Sequence, residues 1–159
     1  MKDNIVFQPK FENFFNRSFN DYQTILSIIV FISCNTLFVI IHANWFIIIF
    51  FNIFFLLLSL INTLKFVYYL GKLEINRSNN YILYSMYKFD KLFVQSEIAI
   101  NKINLKIISH WFQRHTTYEL RIYYNNKCVI RQHETNYWTY EIFQNIKKHI
   151  ESIKHNEKI

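Results

Sequence analysis

Between Tyr22 and Leu64 the chain contains no Lys, Arg, Asp or Glu. This charge-free stretch constrains everything else the sequence can fold into. It is mostly Ile, Phe, Leu and Val, and its one turn-like interruption is His42-Ala43-Asn44. A helical bilayer span needs about 20 apolar residues. A single helix over the whole stretch would be about 64 Å long, roughly twice a bilayer. The sequence therefore predicts a transmembrane hairpin over residues 22–70, with helices at about 22–41 and 45–69.

The flanks agree with that reading. Trp45 marks one membrane interface, and Tyr22, Tyr68 and Tyr69 mark the other, as aromatic belts do. Lys65 is placed to snorkel to the same side, and Gly71 follows as a left-handed helix cap. The turn is uncharged while Lys10, Arg17, Lys65, Lys72 and Arg77 flank the outer ends. Positive-inside logic then puts both termini in the cytoplasm. If the turn centres between Ala43 and Asn44, Asn35 and Asn52 lie at equal depth. An interhelical amide bond there is worth about 0.6–2 kcal/mol. The alternative, a polar transport path, finds no intramembrane charge to build on.

Residues 1–21 are not a span, because Lys10, Glu12 and Arg17 interrupt them. After Pro9, Phe11, Phe14, Phe15, Phe19 and Tyr22 fall on one helical face. This predicts an amphipathic segment lying in the headgroup region, with Phe11 and Phe15 among its contacts. The alternative is a tail packed on the soluble domain. No cleavable signal peptide is expected, since no basic region runs into an apolar core with a small-residue cleavage site.

The net charge of +7 is concentrated in residues 71–159, which hold 14 Lys/Arg against 8 Asp/Glu. That excess suits residence near anionic headgroups and also the ordinary positive-inside bias. No dense basic run exists, which argues against nucleic-acid binding. The two cysteines, Cys34 in the first helix and Cys128 in the polar half, are expected to stay apart, one in lipid and one in water.

From Leu73 the pattern changes to period two. Leu73–Asn76, Tyr81–Lys88, Leu92–Ser96, Ile103–Trp111, Tyr118–Tyr124 and Cys128–Glu134 read as strands. Turns fall at Arg77–Asn80, Phe89–Lys91 and Asn125–Lys127. Thr139 can cap a final helix whose apolar stripe is Ile142, Phe143, Ile146, Ile150 and Ile153. The fold class is thus a membrane α-helical hairpin plus an α+β soluble domain over 71–159. That domain is a small antiparallel sheet or split barrel closed by a C-terminal helix.

This order of elements, with the ending Tyr118-Glu-Leu-Arg-Ile-Tyr-Tyr-Asn-Asn-Lys127 and Trp138-Thr-Tyr-Glu141 before the helix, resembles bacterial membrane-anchored proteins with pleckstrin-homology-like domains. The resemblance runs from Tyr22 to about Lys154. It implies a PH-like fold and a small accessory or scaffolding role. Eukaryotic relatives bind phosphoinositides through a basic loop between the first two strands. Here that turn, Arg77-Ser-Asn-Asn80, has one basic residue, so the activity is not carried over.

The chemistry-bearing residues point away from catalysis. His110 and His115 have opposite parity on a strand, and with His133 they lack a thiolate or carboxylate at ligand spacing, so no metal or other cofactor is expected. A nucleophile elbow or phosphate loop needs glycines, and Gly71 is the only one. Glu119 and Glu134, with Arg121 and Arg131, read as cross-strand salt bridges on a solvent face. Trp138 reads as a core plug. Trp111, Phe112, Arg114, Arg121 and Arg131 are the candidate partner surface, being of types enriched at interfaces or adjacent to them. The expectation is a non-enzymatic accessory or scaffold protein that binds a protein partner, or itself, at the membrane. The alternatives are an anionic-lipid surface sensor or a membrane immunity protein that neutralises a toxin.

Overall fold

A computed structural model describes residues 4–42, 44–112 and 115–156, without the side chains of Phe112, His115 and Asn156. The chain divides into two compact units, Met1–Asn13 with Tyr68–Ile159, and Phe14–Val67.

The second unit holds a short helix α1 (Phe14–Phe19) and two long apolar helices, α2 (Tyr22–Ile40) and α3 (Trp45–Leu64). By length and composition both long helices are able to cross a membrane. Asp21 caps α2 by accepting from the Thr24 N–H at 3.1 Å, and Asn44 caps α3 by accepting from the Phe46 N–H at 3.0 Å. The Lys65 ammonium meets Asp21 at 2.9 Å and Gln23 Oε1 at 3.1 Å, so it ties the two helix ends together. Asn35 Nδ2 donates to Asn52 Oδ1 at 3.0 Å, and Asn62 Nδ2 reaches Ser27 Oγ at 3.5 Å. Phe38 and Phe51 pack edge to face between these polar rungs and the turn.

The other unit is α+β. A four-stranded antiparallel sheet runs in the order β1 (Asn4–Phe7), β2 (Tyr68–Asn76), β3 (Tyr81–Lys88) and β4 (Lys91–Ala99). A three-stranded antiparallel sheet contains β5 (Ile103–Phe112), β6 (His115–Tyr124) and β7 (Lys127–His133). One turn of 3-10 helix, Ile100–Lys102, joins them. Helix α4 (Tyr140–Asn156) lays Phe143, Ile146, Ile150 and Ile153 onto the core, beside Leu73, Ile82, Leu120 and Ile130. Trp138 is fully buried just before it.

Two expected boundaries are corrected. The N-terminal segment is not a continuous amphipathic helix after Pro9. Asn4-Ile-Val-Phe7 alternates, pairs with β2 from Asn4↔Asn76 to Phe7↔Leu73, and packs Ile5 and Phe7 against the core. Helix forms only from Phe14, and Phe11 instead packs its ring on Tyr69 and Tyr87. Likewise the second long helix ends at Leu64 and not at Tyr69. Tyr68 and Tyr69 belong to β2, and Tyr69 is a core residue whose hydroxyl donates to the Lys10 carbonyl at 3.3 Å. Gly71 is therefore no helix cap. It is the extra residue of a bulge between Leu70↔Met86 and Lys72↔Ser85. A Cβ at this position would lie 2.3 Å from Tyr87 Cε2.

Beside the bulge, the Leu70 N–H donates to the buried Gln132 Oε1 of β7 at 2.6 Å and so links the two sheets. Gly71→Ala is expected to push the Tyr87 ring off the backbone and cost about 1–3 kcal/mol in urea unfolding; an unchanged midpoint contradicts the close packing. In the helical unit, Asn35→Leu with Asn52→Leu removes a pair worth about 0.6–2 kcal/mol. Helix–helix dissociation in a denaturing detergent series should shift to lower detergent, and equal stability would rule out a net contribution from the pair.

Candidate functional site

Strand β6 is the middle of its sheet, so its pleat decides what meets on either face. Leu120 and Ile122 enter the core, which sends Glu119, Arg121 and Tyr123 to the opposite face. Asn125 and Asn126 both have positive φ, 49° and 64°, the type I′ geometry that suits a two-residue hairpin. A bulge then places Val129 as an extra residue between Tyr123↔Cys128 and Ile122↔Ile130. Beyond it, Arg131 stands opposite Arg121 and His133 opposite Glu119. From the other neighbour, His110 pairs with Thr117 and Lys106 with Arg121, on this same face.

The result is one carboxylate beneath a cover of cationic groups. Arg121 donates from Nε to Glu119 Oε1 at 2.5 Å and from Nη2 to Oε2 at 3.1 Å, a forked pair. Arg131 Nε reaches Oε1 at 2.6 Å, His110 Nε2 lies 2.8 Å from Oε2, and His133 Nδ1 lies 3.9 Å from Oε2. Glu119 has no solvent exposure, whereas the Arg131 side chain is 57% exposed. The expected exposed salt bridge is therefore corrected to a buried one: the long arginine side chains fold over the central strand and seal its carboxylate. Burial alone would push the Glu119 carboxyl up. Hydrogen bonds from Arg121 and His110, the charge of His133 and the bond from Arg131 outweigh it and hold the group at about 2. The same bond to Glu119, joined by one to Tyr123, pushes the Arg121 guanidinium up. Lys106 adds a further cation, 5.7 Å over the Tyr123 ring.

His110, Glu119 and His133 offer ligand atoms within 4.8 Å of one another, a set that the strand parity of His110 and His115 did not suggest. Two guanidinium groups already neutralise the carboxylate, and a divalent ion at Oε2 would displace the His110 bond and face both positive charges. The electrostatics of this face suit an anion better than a cation.

The remaining candidates are dispersed. Trp111 is 76% exposed at the end of β5, paired with Thr116, on the opposite side of the sheet from Arg121 and Arg131. Arg114 and the side chain of Phe112 lie outside the described residues, as does that of His115. Glu134 stays clear of Glu119: its oxygens accept from the Tyr118 N–H at 3.0 Å and the Tyr140 N–H at 3.2 Å, holding the start of α4. Phe15, Tyr22 and Trp45 are exposed on the helical unit. No protein-family model, curated protein or solved structure matches the chain.

Glu119→Gln takes the counter-charge from Arg121 and Arg131, which are both partly exposed, and weakens their hydrogen bonds to the buried side chain; it is expected to cost about 1–3 kcal/mol. The pH dependence follows from the depressed carboxyl. Its contribution is fully present above the unfolded value near 4.5 and is lost as pH falls toward about 2. Urea midpoints of the wild type should therefore drop between pH 4.5 and 2.5, with the drop smaller in Glu119→Gln. Parallel profiles would show that the carboxylate does not control acid stability.

Proposed function

We propose that the chain is a non-enzymatic accessory protein of a bacterial inner membrane, anchored by α2 and α3, that presents a PH-like domain to a protein partner in the cytoplasm. The observation that carries the topology is the pairing of β1 with β2. One strand precedes the charge-free stretch and the other follows it, yet they share a sheet. A strand pair cannot form across a bilayer, so this stretch crosses an even number of times. Two helices of 19 and 20 residues satisfy that count. The four-plus-three strand layout closed by α4 supports the PH-like reading.

The partner-binding face is the outer surface of β5, β6 and β7, where Arg121 and Arg131 cover one neutralised carboxylate and Lys106 adds a cation over Tyr123. Such a face attracts an acidic segment and steers its approach. The partner therefore carries clustered Asp or Glu at its contact.

Two measurements test this reading. Cys128 is exposed on β7. A membrane-impermeant maleimide should leave it unmodified in intact cells and label it once the membrane is opened; labelling of intact cells overturns the orientation. The full chain purified from native membranes in mild detergent should carry one partner in fixed stoichiometry. Lys106→Ala, which removes a cation without placing a carboxylate opposite Arg121, should weaken that association, and rising salt should weaken it further. A chain that purifies alone at low salt overturns the scaffold reading.

A further inference from the structure

The β3–β4 hairpin breaks three local rules within a few residues. Phe89, the first central residue of its two-residue turn, has φ 53°, a conformation that hairpins normally give to Gly, Asn or Asp. Lys88 and Lys91 stand directly opposite one another, a like-charge pair that opposes strand pairing. Phe93 is the extra residue of a bulge, between Tyr87↔Leu92 and Met86↔Val94, on the edge strand of the sheet. Bulges re-aim side chains, and edge strands in water are normally kept polar.

Phe89, Leu92 and Phe93 are 48%, 56% and 58% exposed. The Tyr68 ring, also exposed, lies 5.6 Å from Phe93, and the Lys88 ammonium is 5.9 Å over the Tyr68 ring. The exposed Phe and Leu side chains and the facing lysines are unfavourable for a sheet edge in water, and both suit a bilayer surface. Aromatic rings settle at the headgroup boundary, and paired lysines lose their repulsion against anionic phosphates. Asp90 is the one acidic residue at the tip. Chain connectivity supplies the occupant. Tyr68 follows Leu64, the last residue of α3, after three intervening residues, a reach of about 14 Å at most.

We propose that the β3–β4 hairpin is a bilayer-contact element. It seats Phe89, Leu92 and Phe93 at the headgroup–acyl boundary and sets Lys88 and Lys91 against anionic lipid phosphates. This inference rests on α2 and α3 being membrane spans, but it is independent of the partner-binding face.

The test uses the full chain reconstituted in vesicles of zwitterionic and anionic phospholipid brominated high on the acyl chain. Phe93→Trp adds a reporter at the hairpin, and Asn145→Trp adds one on the exposed side of α4; wild-type emission is subtracted from both. The Phe93→Trp signal should be blue-shifted and quenched by the brominated lipid, and the Asn145→Trp signal should be neither. Lys88→Glu with Lys91→Glu should reduce the quenching in anionic vesicles. Equal quenching of both reporters overturns the proposal. So does a blue-shifted Phe93→Trp signal that bromination leaves unchanged, which would mean that a second copy of the chain covers the hairpin. Quenching that ignores the lysine substitutions overturns the phosphate contact. Alkaline carbonate extraction of the same vesicles reports separately on the spans: a chain released by carbonate fails that reading, whatever the hairpin does.

Discussion

The pairing of β1 with β2 is the constraint on which the rest of the structure depends. Four residues at the start of the chain and nine that follow the apolar helices form one ladder, so residues 8–67 are a single closed excursion from a sheet. Closing a loop of that length costs only slightly more entropy than closing one half as long, because the cost grows with the logarithm of length. Ile5 and Phe7 offset it by packing on the core. Pro9, which has no N–H to donate, suits the exit from the ladder.

The Glu119 cluster plays a different part. Two arginines and two histidines around a buried carboxylate are not a large net source of stability, because desolvating the ions opposes their attraction. They are demanding about geometry instead. A slip of one residue in β7 would turn Arg131 and His133 toward the core and expose Gln132. Gln132 is needed inside, where it accepts the Leu70 N–H. The ion cluster on one face and the amide on the other specify the same register.

How much of this could be read from residues alone follows from the same bulges. The long helices, α4 and the six strands after the apolar stretch announce themselves through sustained periodicity, and Asn125-Asn126 announces its hairpin. Asn35 and Asn52 could be matched because a helical hairpin has one register once its turn is placed. What stayed hidden depends on single extra residues. A two-residue turn at Asn125-Asn126 with no bulge pairs Glu119 with Gln132, and Val129 shifts that partner to His133. No propensity marks Val129 as the residue that bulges. Gly71 was visible, but as the sole glycine beside an apolar helix it read as a cap. Strand β1 was hidden because four alternating residues carry too little pattern to outweigh the aromatic spacing after Pro9.

The early position of β1 also imposes an order on synthesis. Its residues are made before its ladder partner, which follows both apolar helices. At about 5–20 residues per second, β1 remains an unpaired segment for several seconds while those helices are made. The sheet can be completed only after the chain has returned to β1 from both apolar helices. A chain that fails to return keeps an incomplete sheet, without Ile5 and Phe7 on its core. The strand pair thus makes correct placement of the two apolar helices a condition for finishing the fold.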